Sequence, residues 1–139
     1  MSKIHFEAYY HIVWATWKRM PILSKEAFDA IRKALEKKTT DLGCSLLAVG
    51  GYDDHVHALI SMPPKYSISE VTGQLKGYSS RVVNMRFGGE RLKWQEGFGV
   101  FTVSLNRIKN VTDYILNQET KHNHDKLFED IISEDKSSL

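Results

Sequence analysis

The sequence predicts an α+β protein whose elements run β-α-β-β-α-β-α. Three observations predict it: hydrophobic alternation near the start, two amphipathic stretches opened by capping signals, and a glycine-rich turn between two apolar runs in the middle.

The alternation runs over residues 4–17. Apolar side chains take the even positions Ile4, Phe6, Ala8, Tyr10, Ile12 and Trp14, while His5, Glu7, Tyr9 and His11 make the odd face more polar, the two-residue period of a half-buried strand. Lys18 to Pro21 breaks the pattern. Ser24 can cap a helix over about 25–41, with Phe28, Ile31 and Leu35 on one stripe and Gly43 as its stop. Residues 45–52 and 55–62 read as strands, and Gly50-Gly51-Tyr52-Asp53-Asp54 between their apolar cores supplies the turn of an antiparallel hairpin. Pro63 and Pro64 end the second of them.

Ser67 and Glu70 then form a capping box, and Ile68, Val71, Leu75, Tyr78, Val82 and Met85 recur at helical steps to about Phe87. Gly73 and Gly77 inside this helix mark either a close approach or a tolerated weakness of roughly 1 kcal/mol each. After Gly88 and Gly89, residues 98–104 read as a strand. A helix over about 106–120 follows, with Ile108, Val111 and Ile115 on its buried stripe. The order describes a ferredoxin-like split βαβ fold: an antiparallel sheet with helices on one face, plus a C-terminal helix that carries Tyr114. No internal repeat is visible, and the tail after about residue 132 is the candidate for disorder.

A chain of 139 residues, 42% hydrophobic and 26% charged, fits one domain over 1–139 that can bury a core without crosslinks. Cys44 is the single cysteine, so no disulfide forms within the chain. No leader pattern and no apolar run of membrane-spanning length is present, and a reducing cytoplasm is the expected compartment. A net charge of +2, from 19 basic and 17 acidic residues, is too balanced to announce nucleic acid. Once the acidic stretch 129–135 is set aside, basic residues dominate around Lys18 and Arg19, Lys76, Arg81 and Arg86, and Arg107 and Lys109. A phosphate-tracking face and an ordinary solvated surface both fit that distribution.

Two constellations can carry chemistry. In His55-Val56-His57, strand alternation points both imidazoles to one face about 7 Å apart, which suits a shared metal ion but equally a hydrogen-bonded pair. Tyr114 and Gln118, four residues apart, share a helical face near Arg107, Asn110 and Lys121; the phenol can be a nucleophile or simply pack with its hydroxyl in water. His122 and His124 share a polar strip with Lys121 and Asp125, and can bind phosphate, carry protons or lie solvated. His11 and Glu7 would border the site if the first strand neighbours the histidine pair, whereas Asp53 and Asp54 read as hairpin residues.

Taken together, these features resemble the single-tyrosine HUH transposases, the insertion-sequence transposase A proteins and their REP-associated relatives. The signature of that family appears as His55-Val56-His57 and as Tyr114-Ile115-Leu116-Asn117-Gln118. It is supported by Tyr10-His11-Ile12-Val13-Trp14, by Leu75-Lys76-Gly77-Tyr78-Ser79-Ser80-Arg81 and by Trp94-Gln95-Glu96-Gly97-Phe98-Gly99, so that it covers about residues 5–124. The resemblance implies a divalent cation, Mg2+ or Mn2+, held by His55, His57 and Gln118, and attack by Tyr114 on single-stranded DNA through a 5′-phosphotyrosine. It further implies hairpin DNA at element ends as substrate and a homodimer whose sites can be composite; Lys76 and Arg81, with Ser79 and Ser80 near them, are the candidate backbone phosphate contacts, the alternative being that Lys76 and Arg81 only solubilise their helix. A hairpin-binding module without chemistry, and a zinc hydrolase in which Tyr114 is structural, are the competing readings.

Overall fold

The structure, a computed structural model, describes residues 5–89 and 91–118. Its elements are β1 (Tyr9–Ala15), a 3-10 turn (Trp17–Arg19), α1 (Lys25–Asp41), β2 (Ser45–Gly51), β3 (His55–Ser61), α2 (Ile68–Phe87), β4 (Gly99–Val103), a second 3-10 turn (Leu105–Arg107) and α3 (Ile108–Leu116). The four strands form one antiparallel sheet in the order β2-β3-β1-β4. This is the α+β split βαβ arrangement the sequence predicts. Thr120, Lys121, His122, His124, Asp125 and the tail lie outside the described residues, as does Ile4.

The local signals act as expected. Ser24 Oγ accepts from the Ala27 amide at 3.1 Å and starts α1, while Ser67 and Glu70 cap α2 reciprocally at 3.0 and 3.1 Å. Gly43 follows α1 with a φ of 73°, where a side chain would strain the backbone.

The core lies between the sheet and α1 with α2. Ile12 and Trp14 of β1 join Val49 of β2 and Val56, Ala58 and Ile60 of β3 against Ile31, Leu35, Val71 and Leu75. The other face of the sheet is covered by α3. Ile115 packs there on Ala48, Leu59 and Val103, with Tyr9, Ile108, Val111 and Tyr114 at the margin. β1 is consequently buried on both faces from His11 to Ala15, which corrects the half-exposed reading of that strand. Its start is also later than expected: Phe6 is exposed, and His5 and Glu7 form an exposed pair 3.7 Å apart, away from the sheet. Among the described residues no helix is long and apolar enough to cross a membrane.

Nothing lies within 4 Å of where a Cβ would stand on Gly73 or Gly77, so neither glycine serves a close approach among the described residues. Their helical positions carry only the entropic cost of glycine. Gly77→Ala is expected to stabilise the fold by about 1 kcal/mol, read as a higher urea midpoint at unchanged slope.

Candidate active site

The period of a strand decides which side chains meet α3. His55, His57 and Leu59 alternate onto that face of β3, and His57 stands opposite Gly50 on β2 and Val13 on β1. His11, two residues from Val13, is the diagonal neighbour of His57. Its Nε2 lies 2.7 Å from His57 Nδ1, with the rings stacked at 4.9 Å. His55 and His57 are 2% and 1% exposed, so their polar atoms must find partners inside the protein.

The helix reaches these rings because Gly50 has no side chain. A Cβ there would collide with the backbone carbonyl of Ile115, so α3 lies on β2 at backbone contact. That seating brings the Tyr114 ring to 5.7 Å from His57 and 6.0 Å from His11, edge-on to both. Gln118, one turn further and 1% exposed, donates from Nε2 to the Tyr114 carbonyl at 3.1 Å and turns Oε1 to 3.3 Å from His55 Nε2. Thus the structure gathers Tyr114, Gln118, His55, His57 and His11 within one chain, and leaves Glu7 outside.

A second layer holds His55. Its Nδ1 lies 2.8 Å from Asp54 Oδ1, while Asp54 Oδ2 accepts from Arg19 Nε and pairs with its terminal nitrogen, both at 3.0 Å. Burial raises the Asp54 pKa, but the His55 hydrogen bond and the Arg19 charge outweigh it and hold the carboxyl below its ordinary value. For His57, burial first and then the neighbouring His11 and His55 push the pKa well below the usual imidazole value, against a hydrogen bond to Gln118. His57 is therefore neutral near pH 7, the state in which an imidazole can ligate a metal.

The donor set can be tested for a cation. Asp54 accepts only, so a neutral His55 ring would carry its proton on Nδ1 and present a lone pair at Nε2. The Gln118 amide is oriented by its Nε2 donating to a carbonyl, so Oε1 also presents lone pairs. Two acceptors 3.3 Å apart repel unless a proton or a cation lies between them, and the geometry suits either. Two imidazoles and an amide oxygen can contribute three ligands of an octahedral site. Among the described residues no group of three or more His, Cys, Asp or Glu side chains is placed to hold a metal, and the oxygen beside His55 Nε2 is that of the Gln118 amide.

The expected phosphate contacts divide. Ser79 is fully buried and donates to the Lys76 carbonyl at 3.1 Å, which removes it from a surface role. Lys76 donates to the carbonyls of Gln95 and Gly97 at 2.8 and 2.9 Å, tying a loop to α2. Ser80 is part-exposed with its hydroxyl on the Gly77 carbonyl, and Arg81 is exposed beside the Tyr78 ring. Sequence reasoning missed the parts played by Gly50, Arg19 and Asp54. A carboxylate one residue before the strand histidine was the available signal for Asp54, but it looks the same in any hairpin turn.

A split βαβ sheet with a buried histidine pair under a tyrosine-bearing helix defines the class of protein. The profile of the family described as "Transposase IS200 like" matches residues 4–118, and the chain belongs to that family. It is 35% identical over 115 residues to the transposase for insertion sequence element IS200 of Salmonella typhimurium, covering 78% of this chain and 75% of that one. It is 26% identical over 122 residues to the ISDra2 transposase TnpA of Deinococcus radiodurans, covering 84% and 87%. Among solved structures, a Deinococcus radiodurans chain assigned as a transposase superposes with a TM-score of 0.67 at 28% identity, over 85% of this chain and 96% of that one. The REP-associated tyrosine transposase bound to a REP hairpin shares the fold, with a TM-score of 0.64 at 18% identity over 88% and 74%. The protein is a transposase, and its general activity is DNA cleavage and transfer.

Because α3 touches the sheet at Gly50, Gly50→Ala is expected to cost about 1–3 kcal/mol, the range for overpacking a closed contact. Thermal or urea unfolding measures it, and the opposite sign from Gly77→Ala separates steric contact from glycine entropy.

Proposed function

We propose that the protein cleaves and rejoins single-stranded DNA at element ends, with Tyr114 as the nucleophile and His55, His57 and Gln118 holding a divalent cation, Mg2+ or Mn2+. The observation that carries the reading is the approach of the Tyr114 ring to His57 and His11, at 5.7 and 6.0 Å, beside the His55 Nε2 and Gln118 Oε1 atoms that face one another. Oxygen and imidazole ligands admit either ion.

In this reading the Tyr114 oxygen attacks the scissile phosphorus as the phenol loses its proton. The bond from phosphorus to the 3′-oxygen breaks and that oxygen takes up a proton, leaving a 5′-phosphotyrosine and a free 3′-hydroxyl. The phosphotyrosine retains a phosphodiester, so another 3′-hydroxyl can displace the phenol and join strands without a nucleotide cofactor. A bound cation would polarise the phosphate and take up charge developing on its oxygens. His55 and His57 supply ring nitrogens from one strand, and Gln118, four residues beyond Tyr114, ties that end of the helix to the His55 ring. His11, hydrogen-bonded to His57, fixes the orientation of that ring.

The hairpin carried by the REP-associated relative supports hairpin DNA as the partner. Ser80 and Arg81 on α2 are the proposed backbone contacts, which would make binding salt-dependent, whereas the Lys76 ammonium is held by the Gln95 and Gly97 carbonyls. One nucleophile per chain means that coordinated cutting at two ends takes two chains, so the active species is a homodimer, with α3 seated on its own or the partner's sheet. The domain acts as a unit over 1–139 in the cytoplasm, where the DNA substrate lies.

The decisive measurement is a denaturant-resistant adduct with labelled single-stranded DNA that carries a hairpin end. Wild type with Mg2+ or Mn2+ is expected to form it. Tyr114→Phe should lose it by on the order of 10^4-fold or more while still binding the hairpin, and an adduct surviving that substitution would assign the nucleophile elsewhere. Chelation by EDTA should abolish the adduct and readdition of Mn2+ restore it; equal yield in both conditions would remove the cation from the reading.

A further inference from the structure

We infer that Arg19 and Asp54 are positioning residues of the site: a guanidinium and carboxylate pair that fixes the His55 tautomer and aims its Nε2 lone pair at Gln118 Oε1. The inference rests on the proposed cation site but concerns only residues of this chain.

Asp54 divides its oxygens between two tasks. Oδ1 takes His55 Nδ1 at 2.8 Å, and Oδ2 takes two nitrogens of Arg19 at 3.0 Å, so the carboxylate cannot rotate without losing a bond. A carboxylate accepts and never donates, which places the proton on Nδ1 and the lone pair on Nε2. Without this partner the neutral ring would favour Nε2–H, since that proton could then be donated to Gln118 Oε1 at 3.3 Å. The lone pair on which a cation depends would be gone. Asp54 thus decides between a ring that binds Gln118 directly and a ring that offers itself as a ligand.

The backbone holds this arrangement from both sides. Lys18 and Arg19 each have a φ of 53°, the left-handed region that non-glycine residues seldom enter. Asp53 and Asp54 accept from the Leu23 and Thr16 amides, both at 2.9 Å, so the β1–α1 connector is fastened to the β2–β3 turn where the pair forms. A surface ion pair between two loops would need none of this. Both side chains are largely shielded, Arg19 at 27% and Asp54 at 17% exposure, so solvent does not dissolve the pair.

The test reads the tautomer directly, in metal-free protein at about pH 8, above the ordinary imidazole range. Long-range 15N–1H correlation of the His55 ring is expected to show Nδ1–H in wild type. In Asp54→Asn the amide can turn its NH2 toward Nδ1, and the signal should move to Nε2–H; Asp53→Asn, on the same turn, should leave it in place. Mn2+ affinity, titrated by the loss of the free-ion EPR signal, should weaken by about 10- to 100-fold in Asp54→Asn. Arg19→Met provides the second variant should Asp54→Asn fail to fold: it should keep Nδ1–H, broaden the ring signals and weaken Mn2+ binding within the same range, with Arg19→Lys recovering only part. An Nε2–H ring in wild type, or an unmoved tautomer in folded Asp54→Asn, overturns the inference. A tautomer that moves as expected in a protein that binds no Mn2+ sustains the positioning role and removes only the cation reading.

Discussion

A helix can rest on a sheet at backbone contact only where the strand beneath it lacks a side chain, and Gly50 is that place on β2. With Ala48 two residues earlier, it leaves a shallow seat that Ile115 fills and whose depth sets the height of α3 above the sheet. Tyr114 and Gln118 are within reach of His55 and His57 because of that height. A helix raised by a single Cβ would carry Gln118 Oε1 away from His55 Nε2, where it now lies at 3.3 Å. The reactive geometry is therefore a packing result, and the polar residues inherit their positions from an apolar contact.

Burying three imidazoles beneath that helix is unfavourable unless each finds partners. His11 and His57 satisfy one another at 2.7 Å, His55 is held by Asp54, and Gln118 bridges back to the helix through the Tyr114 carbonyl. Burial then has a chemical consequence. It disfavours the charged form of His57, an effect reinforced by neighbouring histidines, and a neutral ring is the form with a lone pair to give. At Asp54 the balance falls the other way, since Arg19 and His55 stabilise the negative charge more than burial opposes it. His57 is kept neutral and Asp54 charged, with the His55 ring between them.

The elements were legible in the sequence because their signals are local. Ser24, the Ser67 and Glu70 box and the alternation of β3 each act over four residues or fewer, and the observed bounds of α1 and α2 agree with them. The alternation of β1 also showed which residues share a face, but not how many faces are covered. That depends on where α3 returns, about a hundred residues later in the chain. The same limit applies to the site. The spacings of His55 with His57 and of Tyr114 with Gln118 could be read, and their kinship with known transposases joined them. Nothing local distinguishes Asp54 as a turn residue from Asp54 as the partner of His55, because the Arg19 that holds it stands 35 positions away. Ser79 illustrates the converse, a hydroxyl in a promising run of residues that the helix turns entirely inward.

Lys76 connects these long-range facts. Read from sequence it is a cation for DNA, yet its ammonium is held by the carbonyls of Gln95 and Gly97. That loop in turn grips the β1–α1 connector: Gln95 N donates to the Ala15 carbonyl at 2.8 Å, Trp17 N to that of Lys93 at 2.8 Å, and Lys18 N to Gln95 Oε1 at 3.1 Å. The connector is the segment that carries Lys18 and Arg19 in left-handed conformations, each costing on the order of 1–3 kcal/mol. Such a conformation persists only where surrounding bonds over-determine it, and the loop tied down by Lys76 supplies several of them. The support of His55 therefore extends through Asp54, Arg19 and the connector to α2 on the far face of the sheet. A lysine well removed from the imidazoles takes part in holding one of them in place.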